Sequence, residues 1–196
     1  MEQTTAPPVS AQPPARLSAR AHLASLSRAQ RFAAAYGAGI VTIASFGRFG
    51  LSGHALVGAI FGSALIVLTI IDLDRRLIPD AIVLPTLAVV LVLQIAFRPH
   101  HTVEWVVASV ATAAFFFLPM LLYPAAMGMG DVKLGALLGA ALGKSVVAAV
   151  FLALLAGGAV ALVVLFREGV GARKKAIAFG PFLALGGLVV FFLGGH

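Results

Sequence analysis

Cysteine is absent from all 196 residues, which excludes disulfides, zinc–thiolate sites and cysteine nucleophiles. Any chemistry has to come from oxygen or nitrogen side chains. Charge is scarce as well: charged residues make up 11% of the chain and only seven are acidic, against 61% hydrophobic residues and a mean hydropathy of +1.05. That balance excludes a soluble globular domain. Several apolar runs reach the roughly 17 to 25 residues that a helix needs to cross a hydrocarbon core of about 30 Å. The expected fold is therefore an all-α polytopic membrane bundle with no separate soluble domain. A net charge of +7 would suggest nucleic acid in a soluble protein. Here most basic residues fall between apolar runs, where they set topology, so the implied partner is the lipid bilayer and not nucleic acid.

Residues 1–30 are rich in Pro, Ala and Ser, carry Arg16, Arg20 and Arg28, and contain no apolar core of signal-peptide length. They are expected to form a flexible basic tail, with at most an interfacial helix near its end. The membrane part is expected over 31–196. Its first segment, 32–47, has sixteen residues between Arg31 and Arg48 and would span only about 24 Å. It is a marginal crossing that needs snorkelling arginines or a thinned bilayer. The second, 51–71, carries His54 near its start, expected at the interface, and Gly58 and Gly62 on a face suited to close helix contact. The acidic stretch Ile71-Asp72-Leu73-Asp74-Arg75-Arg76-Leu77-Ile78-Pro79-Asp80 follows. Pro79 ends one element and Asp80 is placed to cap the next, over 81–97. A polar link at 98–102 precedes a span at 103–123. The stretch Gly128-Met129-Gly130-Asp131-Val132-Lys133-Leu134 then opens a short helix at 132–143, in which Gly135, Gly139 and Gly143 give a smooth face. Spans at 145–166 and 176–195 flank a basic loop at 167–175.

Charge asymmetry tests whether the short helix crosses. If all seven segments cross, one side holds eleven basic residues: Arg16, Arg20, Arg28, Arg31, Arg75, Arg76, Lys133, Arg167, Arg173, Lys174 and Lys175. The other side holds three, Arg48, Arg98 and Lys144. If the short helix does not cross, the counts become eight and six. The positive-inside rule prefers the first layout. It gives seven segments, or six if the short one stays on one side, in the cell membrane with the N-terminus and both acidic clusters facing the cytoplasm.

An ionised Asp near the membrane interior costs about 2.5 to 3.5 kcal/mol at a helix centre by insertion scales, so it calls for a partner, water or a function. If Asp72 at one helix end faces Asp131 at another helix start, the two share a proton, because like charges a few ångströms apart resist double ionisation. One then serves as general base on a water while the other, protonated, polarises a carbonyl. Such aspartyl proteolysis needs neither a metal nor a cofactor. The competing structural reading has Asp131 capping its helix and Asp72 as a solvated loop residue paired with Arg75 or Arg76. Asp80 fits a cap better than catalysis. Lys133 either tunes the electrostatics of the pair or snorkels to the headgroups.

Three stretches in order, 71–80, 128–134 and Phe179-Gly180-Pro181-Phe182-Leu183-Ala184-Leu185-Gly186, resemble the bacterial type IV prepilin peptidases, intramembrane aspartyl proteases of the GxGD kind. The resemblance runs from about Phe46 to the end. It places the family's catalytic pair on Asp72 and Asp131, while Asp74 and Asp80 match positions outside that pair. It implies cleavage at the cytoplasmic membrane border, between a short basic leader and the apolar helix of a prepilin or pseudopilin. Gly128 and Gly130 would let an extended substrate lie close to the pair, with Lys133, Pro79 and Asp80 in support. Larger members carry a cytoplasmic loop with paired CxxC motifs and a second activity, N-methylation from S-adenosylmethionine. With no Cys here, the expectation is a peptidase without methyl transfer. Two other classes stand beside it: a small proton- or cation-coupled transporter or channel, and an inactive subunit of a pilus or secretion assembly. A presenilin-like protease would need a Pro-Ala-Leu motif where this chain has Gly180-Pro181-Phe182.

Overall fold

A computed structural model describes residues 26–122, 128–168 and 178–194, and these form seven α-helices and no strands. The first helix, α1 (Arg28–Phe49), begins at a capping box. Ser27 Oγ accepts the Gln30 N–H at 3.2 Å and the Gln30 side chain accepts the Ser27 N–H at 2.8 Å. These bonds start the helix four residues before the apolar run, and Arg48 lies inside it. With 22 residues it reaches about 33 Å, so the expected marginal crossing is a full-length one. Of the expected tail, residues 1–25 lie outside the described residues.

Next come α2 (Gly53–Arg75) and α3 (Asp80–Phe97). A short 3-10 turn (Pro99–His101) leads into α4 (Thr102–Leu122). Then come the short α5 (Met129–Leu142), a second 3-10 turn (Gly143–Ser145), α6 (Val146–Glu168) and α7 (Gly180–Leu193). The basic loop expected at 167–175 lies outside the described residues from position 169 onward.

Close approaches at glycines fix the directions. A Cβ added at Gly37, Gly62 or Gly58 would meet Ile66, Val41 or Ser45 respectively, so α1 and α2 are antiparallel. Gly135, Gly139 and Gly143 meet Phe116, Ala108 and Trp105, so α4 and α5 are antiparallel as well. Midway along α7, Gly187 abuts Leu138 of α5 while its neighbour Gly186 abuts Ala149 of α6. Leu138 and Ala149 lie at similar distances either side of the Gly143 turn, so α5 and α6 also run in opposite directions. Gly143 makes that reversal with φ +55°, a left-handed conformation suited to glycine. Five stretches are long and apolar enough to cross a membrane, the last of them spanning α5 and α6 together. α5 alone covers only about 21 Å, yet it runs from one end of the bundle to the other. The alternation is the seven-segment layout that the charge count favoured. The chain is an all-α polytopic membrane bundle.

The core lies around α2 and α5. Phe61, Leu65 and Leu68 of one and Leu134, Leu137 and Leu138 of the other are almost fully buried. Ile40, Ile43, Val107, Val110, Phe151 and Leu162 on the other helices are exposed, as a lipid-facing perimeter requires. Buried polar groups secure the short helix. Gln94 donates to the Ala141 carbonyl at 2.9 Å, near the C-terminus of α5 where carbonyls lack helical partners. Ser109 donates to the Ala136 carbonyl at 2.9 Å. His54, expected at the interface, lies in the first turn of α2 and is buried there against other helices. Its ring stacks on Phe191 at 4.6 Å and meets the edge of Phe49 at 4.5 Å.

Candidate active site

The apolar second helix does not stop at Ile71. It continues for one more turn and closes where Arg76, in a left-handed conformation with φ 52°, donates its N–H to the Asp72 carbonyl at 2.7 Å. That extra turn separates the acids of the stretch. Asp72 and Asp74 are two residues apart, about 200° around the helix axis, and therefore point to opposite faces. Asp72 faces inward and is 6% exposed. Asp74 faces α1, accepting from Gln30 Nε2 at 2.9 Å and pairing with Arg75 at 3.4 Å. Asp72 is thus not a solvated loop residue.

α5 supplies the second acid. Gly128 precedes the helix in an extended conformation, and the Asp131 N–H bonds back to the Gly128 carbonyl at 3.1 Å. The Asp131 carboxylate in turn faces the Gly128 N–H, the reach-back of a third helical residue to the residue before the helix, and lies within electrostatic reach of Asp72. Capping and pairing are therefore compatible at Asp131. Residues far apart in sequence are brought together because α2 ends and α5 begins at the same end of the bundle.

The supporting residues divide. A Cβ at Gly130 would lie 2.8 Å from the Ile78 Cβ, so glycine there lets the 76–79 turn seat against α5. At Gly128 nothing crowds the position apart from Gly130 N at 3.9 Å, and φ is −87°, so packing does not demand glycine. Pro79 is buried, and its carbonyl accepts the N–H groups of Ile82 and Val83 at the start of α3. Asp80 does not cap α3: no side-chain bond is made there, and its carboxylate pairs with Lys133 instead. The cap position is Pro79, one residue earlier, so the Asp80 carboxylate stands inside the first turn of the helix. Lys133 thereby ties α5 to the start of α3, a role that neither sequence reading gave it.

One neighbour of Asp72 was not singled out from the sequence. The N-terminus of α7 enters the site, and a Cβ at Gly180 would lie 2.6 Å from Asp72 Oδ2. The Gly180 N–H is presented to that carboxylate, although Oδ2 itself has no hydrogen-bond partner. The Phe-Gly-Pro run was the available signal. Among the described residues, no cluster of three or more His, Asp or Glu is arranged to hold a metal ion.

Antiparallel apolar helices with an aspartate from each of two of them at one end define a membrane bundle with a candidate two-carboxylate site. Residues 59–162, which include both aspartates, match the Type IV leader peptidase family, and the chain belongs to that family. Among curated relatives, the "Prepilin leader peptidase/N-methyltransferase" of Burkholderia pseudomallei is 32% identical over 162 residues, 80% of this chain and 52% of the relative. The protein of the same description from Pectobacterium carotovorum is 36% identical over 173 residues, 80% of this chain and 59% of the relative. That from Pseudomonas putida is 35% identical over 152 residues, 75% of this chain and 53% of the relative. The chain spans about half the length of these relatives. No solved structure matches.

Proposed function

We propose that this chain is an intramembrane aspartyl endopeptidase that removes the short basic leader from prepilins or pseudopilins, with Asp72 and Asp131 as its catalytic pair. The observation that carries the reading is their convergence: a buried carboxylate from α2 and a second from the start of α5 lie within electrostatic reach at one end of the bundle. Two like charges so placed favour a state that shares one proton. The ionised partner takes a proton from water, whose oxygen attacks the scissile carbonyl while the protonated partner donates to the carbonyl oxygen. Collapse of the tetrahedral intermediate breaks the C–N bond, and the leaving nitrogen takes up the proton held by the base. Water is the only co-reactant.

The site end is also the basic end. Arg28, Arg31, Arg75, Arg76, Lys133 and Arg167 lie there, against Arg48, Arg98 and Lys144 at the other end. By the positive-inside rule this end faces the cytoplasm of a cell inner membrane, where a basic leader would remain. Both acids lie at helix ends rather than mid-helix, which favours proteolysis at a border over ion relay across the bilayer. Methyl transfer is not part of the proposal, and mass spectrometry of the mature N-terminus should find no methyl group added by this protein alone.

The test is co-expression with a prepilin, scoring leader removal by gel mobility. Cleavage should be lost in Asp72→Ala and Asp131→Ala and kept in Asp80→Ala. Cleavage by either of the first two variants at wild-type level would end the dyad assignment.

A further inference from the structure

The Phe179-Gly180-Pro181 turn enters the site without a role in the chemistry above. Pro181 has no N–H to offer, and the amides of Phe182 and Leu183 both bond to the Phe179 carbonyl, at 3.1 and 3.2 Å. Of the first amides of α7, Gly180's is therefore the one left to face outward, and it faces Asp72. The target is independent of the helix end: Asp72 is 6% exposed and its Oδ2 has no hydrogen-bond partner. Any side chain at 180 would intrude, since its Cβ would sit 2.6 Å from that oxygen and 3.1 Å from the carboxyl carbon.

The turn is anchored from behind. Phe179 lies 6.1 Å from Phe116 of α4 and 6.4 Å from Phe182 between ring centroids, and its ring edge would meet a Cβ at Gly157 of α6 at 3.1 Å. Two neighbouring helices, α4 and α6, thus hold the turn that carries the Gly180 amide. The pattern repeats across the pair, since Asp131 faces the Gly128 N–H as Asp72 faces that of Gly180.

We propose that Gly180 is a positioning residue: its backbone N–H holds the Asp72 carboxylate in its reacting orientation, and the missing side chain is what lets the two approach. The inference rests on the peptidase reading. An amide hydrogen bond to a charged group is among the stronger ones, so its loss should be visible in the rate. Because the Gly180 amide acts through Asp72, the loss should fall on kcat and leave KM alone.

The full chain in lipid nanodiscs is assayed with a synthetic membrane peptide carrying a basic leader, a glycine and an apolar helix. Three variants are compared with wild type. Glycolate in place of Gly180, introduced by cell-free translation, deletes the N–H and adds no side chain. Gly180→Ala adds the Cβ. Gly58→Ala adds an equally crowded Cβ, 2.4 Å from the Phe191 ring, at the far end of the bundle. The expected result is a kcat lowered about tenfold or more in both Gly180 variants, with KM within about twofold of wild type and Gly58→Ala largely retaining kcat. Should Gly180→Ala fail to fold, the glycolate variant decides alone. Wild-type kcat in the glycolate variant, a change confined to KM, or an equal kcat loss in Gly58→Ala overturns the proposal. If wild type does not cleave, or Asp72→Ala does, the peptidase reading itself has failed and the inference falls with it.

Discussion

Gly139→Ala should be far more damaging than one added methyl group implies. The new Cβ would lie 2.3 Å from the Ala108 carbonyl oxygen, 2.5 Å from its carbon and 2.6 Å from the Ser109 Cα. All three are backbone atoms of α4, so no rotamer change relieves the clash. An ordinary contact begins near 3.4 Å, so α4 and α5 must part by about 1 Å at this point. The Ser109 hydroxyl, one turn away at 2.9 Å from the Ala136 carbonyl, would then exceed hydrogen-bonding distance. Overpacking of this kind costs about 1 to 3 kcal/mol and the lost bond about 1 more. The sum, about 2 to 4 kcal/mol, corresponds to a shift of about 30- to 700-fold in the unfolding equilibrium.

The displacement also reaches the site, because α5 carries Asp131 two turns from Gly139. A misplacement of about 1 Å can cost about 100-fold in rate. Gly37→Ala is the matched control: its Cβ would meet the Ile66 Cγ2 methyl at 2.7 Å, part of a half-buried side chain at the α1–α2 contact that can shift. Reversible unfolding in mixed micelles and initial rates of leader cleavage are measured for both. If Gly139→Ala stays within about 0.5 kcal/mol of wild type, or loses no more than Gly37→Ala, the α4–α5 contact does not set the position of Asp131.

The Asp80–Lys133 pair should be worth little in stability, because the Asp80 side chain is 60% exposed. A double-mutant cycle with Asp80→Ala and Lys133→Ala is expected to give a coupling below about 1 kcal/mol, while a coupling above about 2 kcal/mol would contradict a surface strut. Topology is accessible because the chain has no cysteine of its own. Single substitutions Leu51→Cys and Lys144→Cys, at one end of the bundle, should react with an impermeant maleimide added outside intact cells. Leu77→Cys, at the site end and 51% exposed, should react only after permeabilisation. Protection of Lys144→Cys alongside Leu77→Cys would mean that α5 does not cross.

Much of the bundle was legible because apolar run length and charge placement report directly on membrane crossing. The α4–α5 contact could be read from glycine spacing, since Gly135, Gly139 and Gly143 return every fourth residue to one helix face. Helix ends were less legible. The start of α1 depends on a capping box of polar residues outside the apolar run, and the extra turn of α2 carries charges that hydropathy reads as loop. That turn decides the site, because it aims Asp72 into the bundle and Asp74 toward α1. The partner of Asp80 was hidden for another reason: a cap is a local expectation, whereas Lys133 is 53 residues away and meets Asp80 only in the fold.

A helix that carries neither aspartate helps to space the two that do. α2 and α5 touch each other little, whereas α3 and α7 each pack against both. A Cβ at Gly187 would meet Leu138 of α5 at 2.7 Å and Leu65 of α2 at 3.3 Å, so one smooth face of α7 separates the two acid-bearing helices. The same helix, about two turns earlier, brings Gly180 against Asp72. Small residues on α7 therefore do two connected things: they let α2 and α5 close on a common spacer, and they admit a backbone amide to the carboxylate that results. α7 lies beyond the family-matched residues 59–162, although those residues contain both acids. A segment holding the whole pair can thus lack part of what fixes its geometry, and Gly187→Ala, whose Cβ touches neither aspartate, should alter the rate of chemistry.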